Sequence, residues 1–246
     1  MATKSNIEWT DSSWNPIIGC TKVSMGCANC YAEALSERFR GVKNHPFENG
    51  FDLRLVSDKL NEPILWRKPR MVFVCSMSDL FHEEIPDSYI AQIFDVMANA
   101  DHHIFQVLTK RSARMLSFSK EHYWPKNVWA GVTVEHSMYL DRVKHLVASK
   151  VSTRFLSLEP LLGPLPRLNL NMIDWVIVGG ESGTRARPME VAWARQIRDK
   201  CLTAQTPFFL KQLGGRSSKR GGDLAVLDGR RWHQYPTSLA IPMATT

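Results

Sequence analysis

Short, nearly unbroken apolar runs alternate along this chain with longer segments whose apolar residues recur at helical spacing. The runs are "MVFVCSM" from Met71, then "HIFQVLT", "VWAGVTV", "TRFLSL", "DWVIVGG" and "PFFLKQ". After the first comes "PDSYIAQIFDVMANA", where Ile90, Ile93, Phe94 and Met97 share one helical face and Asp87 is placed to cap it. "HSMYLDRVKHLVASK" carries a second stripe of Tyr139, Val143, Leu146 and Val147, and "EVAWARQIRDKCL" predicts a late helix. "KRSARMLSFSK" reads as polar, and "EPLLGPLPRL" as a Pro- and Gly-rich connection. Near the N-terminus the pattern predicts a strand at "NPIIG" and a helix after Cys30 that buries Tyr31, Leu35 and Phe39. The total is about seven strands, most of them followed by helices, which indicates a parallel sheet covered by helices. Right-handed crossovers leave an open doubly wound sheet or a barrel. The reading is α/β, a partial or complete (β/α) barrel of mostly parallel strands.

Residues 1–215 carry this rhythm as one barrel domain, and a chain of 246 residues suits a single domain of that kind. Residues 41–70 interrupt it with Gly41, Pro46, Gly50, Pro63 and Pro69, so they form an insertion or lid, or else an excursion over the barrel wall. Residues 216–246 form a basic C-terminal extension that begins near "GGRSSKRGGD".

Composition adds little to this picture. Hydrophobic residues make up 44% and charged residues 22%, an ordinary globular balance. No apolar run approaches a membrane span, so no membrane partner is expected. "MATKSNIEWTD" has no apolar signal core, which places the chain in the cytoplasm, where thiols stay reduced. A net charge of +7 allows contact with nucleic acid. Arg185 and Arg187, with Arg216, Lys219 and Arg220, could follow a phosphate backbone, or could be a solvated basic face.

Cysteine changes the picture most. Three of the five cysteines lie within eleven residues, as Cys20-x6-Cys27-x2-Cys30. Gly19 and Gly26 let that loop turn, and it joins a first strand to a first helix. In a parallel barrel such loops line the C-terminal face, where active sites are built. Three thiolates suit a soft metal centre. A 4Fe–4S cluster held by three cysteines keeps one iron open, and a zinc with three protein ligands keeps one position free. His45 or Cys75 could close a structural zinc knot as fourth ligand. Cys75 and Cys201 otherwise read as buried thiols, Trp9 and Trp14 as packing, and His82 as a loop residue able to give a proton.

"IEWTDSSWNPIIGCTKVSMGCANCYAE" resembles the opening of a phage-associated family of three-cysteine-motif proteins. The resemblance continues in "VFVCSMSDLFHEEIP", "LTKR", "GVTVE", "SLEPLLG", "VIVGGESG" and "FFLKQLGG", almost to the end of the barrel domain. That family is similar to radical S-adenosylmethionine (SAM) enzymes. The resemblance implies a radical SAM-type barrel and a 4Fe–4S cluster that binds SAM. Six residues separate the first two cysteines here, where the radical SAM pattern has three, so the loop takes a different path. The Gly-Gly-Glu that often meets the methionine amine follows the second strand in that pattern. Here "CSMSD" stands there, and "GGES" follows only the sixth strand, so Ser76, Ser78 or Asp79 holds the corresponding position.

The strand ends are polar throughout. Ser76, Ser78 and Asp79 follow the second, Lys110 and Arg111 the third, Thr133 and Glu135 the fourth. Glu159 follows the fifth, Glu181 and Ser182 the sixth, and Lys211 and Gln212 the seventh. In a parallel barrel these groups meet at one mouth, and a ring of carboxylates and cations suits a zwitterionic cofactor. Ser76, Ser78, Asp79, Lys110, Glu135, Glu159, Glu181 and Ser182 are the candidates for cofactor contact. Arg111, Lys211 and Gln212 are candidates for substrate, as is Asn15, which could instead buttress the loop. Singly, Asp79 or Glu135 could equally cap or charge a helix start.

The combined expectation is a radical SAM-type enzyme. Cys20, Cys27 and Cys30 hold three irons, SAM chelates the fourth, and a flavodoxin- or ferredoxin-like protein donates the electron. Reductive cleavage of SAM then modifies a substrate, nucleic acid or nucleotide by charge and phage association. The alternatives are a zinc- or divalent-metal-dependent hydrolase using Asp79, Glu135, Glu159 and Glu181, and a nucleic-acid-binding protein with a structural metal.

Overall fold

The computed structural model describes residues 5–183, 185–214 and 225–236. The chain runs through β1 (Ser12–Trp14), β2 (Ile17–Ile18), α1 (Tyr31–Glu37), β3 (Arg54–Leu55), β4 (Met71–Val74), α2 (Asp87–Asn99), β5 (Ile104–Thr109) and α3 (Ser112–Glu121). It continues through β6 (Val128–Thr133), α4 (Asp141–Ala148), β7 (Arg154–Leu158), β8 (Trp175–Gly179), α5 (Val191–Ala204), β9 (Phe208–Gln212), β10 (Val226–Leu227) and β11 (Arg230–Arg231).

Seven strands form one parallel sheet in the order β1-β4-β5-β6-β7-β8-β9. Each strand is laid beside the one before it, always in the same direction. With right-handed crossovers this sends helices α2 to α5 to one face and curls the sheet around the other. The result is a half-barrel, an α/β partial barrel. A doubly wound sheet would need the order to reverse partway.

Strand periodicity explains why the runs look continuously apolar. Val72, Val74, Phe105, Val107, Val128, Ala130, Val132, Leu156, Leu158, Val176 and Val178 pack outward against helix residues such as Ile90, Ile93, Leu146 and Ile197. Alternate residues Met71, Phe73, Ile104, Trp129, Phe155, Trp175, Ile177 and Phe209 point into the concave side. Trp9, ahead of β1, enters this concave cluster, with its ring 4.8 Å from Phe73 and 6.4 Å from Trp175. Gly131 gives room here, because a Cβ on it would overlap the Phe155 ring. These rings form a floor at the N-terminal end of the half-barrel.

Several local expectations need correction. The first sheet strand is Ser12–Trp14, not "NPIIG", and Ile17–Ile18 leaves the sheet to pair antiparallel with β3. An edge strand is held by backbone bonds to one neighbour and needs no apolar run. α1 buries Ala32 and Ser36, whereas Tyr31 is 58% and Leu35 37% exposed. The polar-looking "KRSARMLSFSK" contains α3, whose buried stripe is only Met115 and Phe118 with two serines. Pro86, not Asp87, occupies the N-cap position of α2, with no side-chain capping bond, and the Asp87 carboxylate pairs with Arg114.

Residues 41–70 lie along the outer wall. Trp14 Nε1 donates to the Lys59 carbonyl at 2.8 Å, and Trp66 joins the outer core. Residues 225–236 return to the open edge of β9. Leu210 N–H donates to the Trp232 carbonyl at 2.7 Å, and Gln234 N–H to that of Phe208 at 3.2 Å. Tyr235 then donates to the Glu8 carbonyl at 3.2 Å, joining the last described segment to the first across the floor. The stretch holding Arg216, Lys219 and Arg220 lies outside the described residues.

The wall also holds a pH-sensitive contact. His103 is fully buried, its Nε2 donates to the Pro63 carbonyl at 3.2 Å, and its Nδ1 has no partner among the described residues. Burial, with the nearby His102 and Arg70 charges, pushes its pKa down to about 4. Between about pH 4 and its unfolded value near 6.5, the unfolded chain binds the proton and the folded chain does not. Stability is therefore present above pH 6.5 and lost on acidification, by up to about 3 kcal/mol below pH 4. Urea midpoints from pH 4.5 to 7 should fall toward acid in the native protein and fall less in His103→Phe.

Candidate functional site

The half-barrel's C-terminal end is crossed by residues 19–31. Gly19 N–H bonds the Met77 carbonyl at 3.0 Å and bridges in parallel to Ser78, starting the loop at the end of β4. A single turn at Met25–Cys27 and then α1 complete the span. Cys20, Cys27 and Cys30 are free and half-buried. Cys20 Sγ accepts from Arg111 Nη1 at 3.4 Å. Burial and the nearby Asp79 charge nevertheless push its pKa up to about 11. Burial also opposes ionisation of Cys27, but the Lys110 charge and hydrogen bonds from Val23 and Ser24 hold its pKa below the usual thiol value. Lys110 has no ion-pair partner among the described residues.

Below the loop, four carboxylates each meet a cation. Asp79 pairs with Arg111 at 3.3 Å, Glu135 with Arg142 at 2.7 Å, Glu181 with Arg187 at 2.6 Å and Glu159 with Lys211 at 3.0 Å. Glu135 is fully buried, and Asp79 and Glu181 nearly so. Burial pushes the Glu181 carboxyl up, but bonds from Arg187 and Asn29 outweigh it and hold it below the usual range. Glu159 and Lys211 are half-buried, and a Cβ on Gly179, two residues beyond inward-facing Ile177, would meet the Glu159 carboxylate, so this pair faces the concave side above the floor.

The other candidates have definite placements. Asn15 Oδ1 accepts from Met77 N–H at 3.0 Å and from the Ser76 hydroxyl at 3.2 Å, bracing the turn after β4. The Ser78 hydroxyl donates to the Ile17 carbonyl at 3.0 Å. Thr133 is buried, with its carbonyl on Arg142. Gln212 is buried with its amide on the Gly180 carbonyl, and Ser182 is exposed. Arg187 is engaged with Glu181 and the Met25 carbonyl, and Arg185 is exposed. His82 is buried; its Nδ1 accepts from Glu84 N–H, so Nε2 donates to the Thr21 hydroxyl at 2.9 Å. Of the two possible fourth thiol-site ligands, Cys75 is buried at the end of β4. His45 stacks on Phe39 at 3.9 Å and accepts from Phe47 N–H.

Sequence reading missed Thr21, Ser24, Asn29, Tyr139 and Arg142. The small polar residues between the cysteines were the available signal, because each bonds a group rising from a strand end.

Among the described residues, no group of three or more His, Cys, Asp or Glu side chains stands ready to hold a metal ion. The fit to an iron–sulfur cluster is one of donor type, not of converged geometry. Three free thiols share one rim loop, with Lys110 beside Cys27 and Arg111 beside Cys20 to offset thiolate charge.

Fold and loop together define an α/β partial barrel whose mouth is spanned by a three-cysteine loop. The chain belongs to the family described as "Protein of unknown function (DUF5131)", whose model matches residues 4–236. No curated protein and no solved structure matches it. No described helix is long and apolar enough to cross a membrane.

Proposed function

We propose that the protein is a radical SAM-type enzyme in which Cys20, Cys27 and Cys30 hold a 4Fe–4S cluster over the mouth. The observation that carries this is the loop's position: three free, half-buried thiols on one short segment laid across the C-terminal end of a parallel half-barrel. Such a cluster, reduced by a flavodoxin- or ferredoxin-like partner, would supply the electron that cleaves a carbon–sulfur bond of SAM. The chain's own work is to bind, orient and exclude water. Lys110, without a salt bridge among the described residues, is the cation beside Cys27 able to grip a carboxylate. Glu159 and Lys211 offer opposite charges to a zwitterion facing the concave side. The aromatic floor fills the other end. A substrate drawn from nucleic acid or nucleotides fits the net charge of +7.

A carboxylate-held divalent metal is less well supported. Asp79, Glu135 and Glu181 are each neutralised by a separate arginine, at three different strand ends.

The test is anaerobic reconstitution with iron and sulfide, followed by reduction in the presence of SAM. A brown protein with a band near about 400 nm, and 5′-deoxyadenosine formed on reduction, are expected. A colourless protein with one zinc would overturn the cluster. A cluster that yields no 5′-deoxyadenosine under competent reduction would overturn the radical chemistry.

A further inference from the structure

We infer that the pairs Asp79–Arg111, Glu135–Arg142 and Glu181–Arg187 are not cofactor ligands but clamps, one for each cysteine, that set the loop before any cofactor binds. The inference rests on the cluster reading for its purpose, though not for its physical basis.

The loop cannot order itself. It has one short turn, buries no residue within that turn, and leaves Val23 and Met25 exposed. Fixing its backbone costs conformational entropy at every residue, which must be offset by contacts from outside. Those contacts occur at three places. Beside Cys20, Arg111 Nη2 donates to the Thr21 carbonyl at 3.1 Å and to its hydroxyl at 2.9 Å. Arg111 is in turn held by Asp79 and by Glu83 at 2.8 Å. Before Cys27, the Ser24 hydroxyl donates to Glu135 Oε1 and lies 3.6 Å from the Cys27 sulfur. A Cβ on Gly26 would overlap the Glu135 carboxylate, so only glycine lets the loop lie this close. Arg142 stacks at 4.3 Å over Tyr139, whose hydroxyl accepts from Met25 N–H at 3.1 Å. Before Cys30, Asn29 Nδ2 donates to Glu181 Oε2 at 2.9 Å, while Arg187 Nη1 reaches the Met25 carbonyl at 2.9 Å.

Each carboxylate is already engaged by an arginine and by further donors, and Asp79 has all four of its acceptor positions filled. Asp79 Oδ1 accepts from Phe81 N–H and the Thr109 hydroxyl, and Oδ2 from Lys110 N–H and Arg111. Glu135 divides its oxygens between Ser24 and Arg142. Glu181 is bonded by Arg187 on both oxygens and by Asn29 on one. Charge-assisted bonds of this kind are about twice as strong as neutral ones, so each offsets part of the cost of ordering its neighbours in the loop. The clamps rise from three separate strand ends; the first holds Thr21, while the second and third share Met25 and reach Ser24 and Asn29 separately.

The test uses the full metal-free chain and substitutions on the loop side, which leave the buried ion pairs intact. Thr21→Val, Ser24→Ala and Asn29→Ala are compared by backbone nitrogen relaxation. Each should lower order parameters from about 0.85 to below about 0.6 only in its own stretch, near Cys20, Cys27 or Cys30 respectively. Amides of the central strands should not move. The triple variant should then take up several-fold less iron than the native chain. Order parameters that do not change, or that fall together across the loop in every variant, overturn the clamps. A native chain that takes up no iron while the local losses appear as stated overturns the cluster reading and leaves the clamps standing.

Discussion

Cys27→Ala is expected to fold normally and to assemble no cluster. Cys27 is half-buried on the rim loop and belongs to neither hydrophobic core, so its loss should change stability by no more than about 0.5 kcal/mol. Iron after reconstitution should fall from about four per chain to background, and 5′-deoxyadenosine with it. Cys75→Ala is the matched control. Cys75 is buried in the outer core, where the neighbourhood holds its thiol protonated, with a pKa pushed up to about 12 by burial. That variant should lose some stability and keep its iron. Full iron in Cys27→Ala would show that the ligand set is wrong.

Trp175→Ala is expected to destabilise the fold by about 3–5 kcal/mol. The side chain is fully buried, and its ring lies within 6.4 Å of Trp9, Trp129, Phe155, Phe209 and Tyr235. Its Nε1 donates to the Gln234 carbonyl at 2.8 Å, so the substitution also loosens the returning segment on β9. In a domain of this size each kcal/mol moves Tm by roughly 2–4 °C, so a fall of about 6–20 °C should appear in a thermal melt. A loss below about 1 kcal/mol would mean that the floor is not part of one cooperative core.

The six apolar runs after Met71 were legible because a strand buried on both faces admits almost no polar residue. Direction of winding was legible only as a choice between barrel and doubly wound sheet, since periodicity carries no strand order. β1 was not legible. "SSW" has one large apolar residue, and its place is set by backbone bonds to β4 that leave no mark on side-chain pattern. α1 was misread because Tyr31 and Leu35 suggest burial by type, while the helix lies on the rim with only Ala32 and Ser36 beneath it. At the site, the cysteines and the polar strand ends were visible as residue types. Their pairing was not, because Glu135 with Arg142 and Glu181 with Arg187 look in sequence like ordinary surface charge. Only three-dimensional placement shows which carboxylates are engaged and that Lys110 has no ion pair among the described residues.

The packed rings fill the N-terminal end of the half-barrel. The thiols lie on the opposite rim, so whatever meets them comes from that side and not through the base.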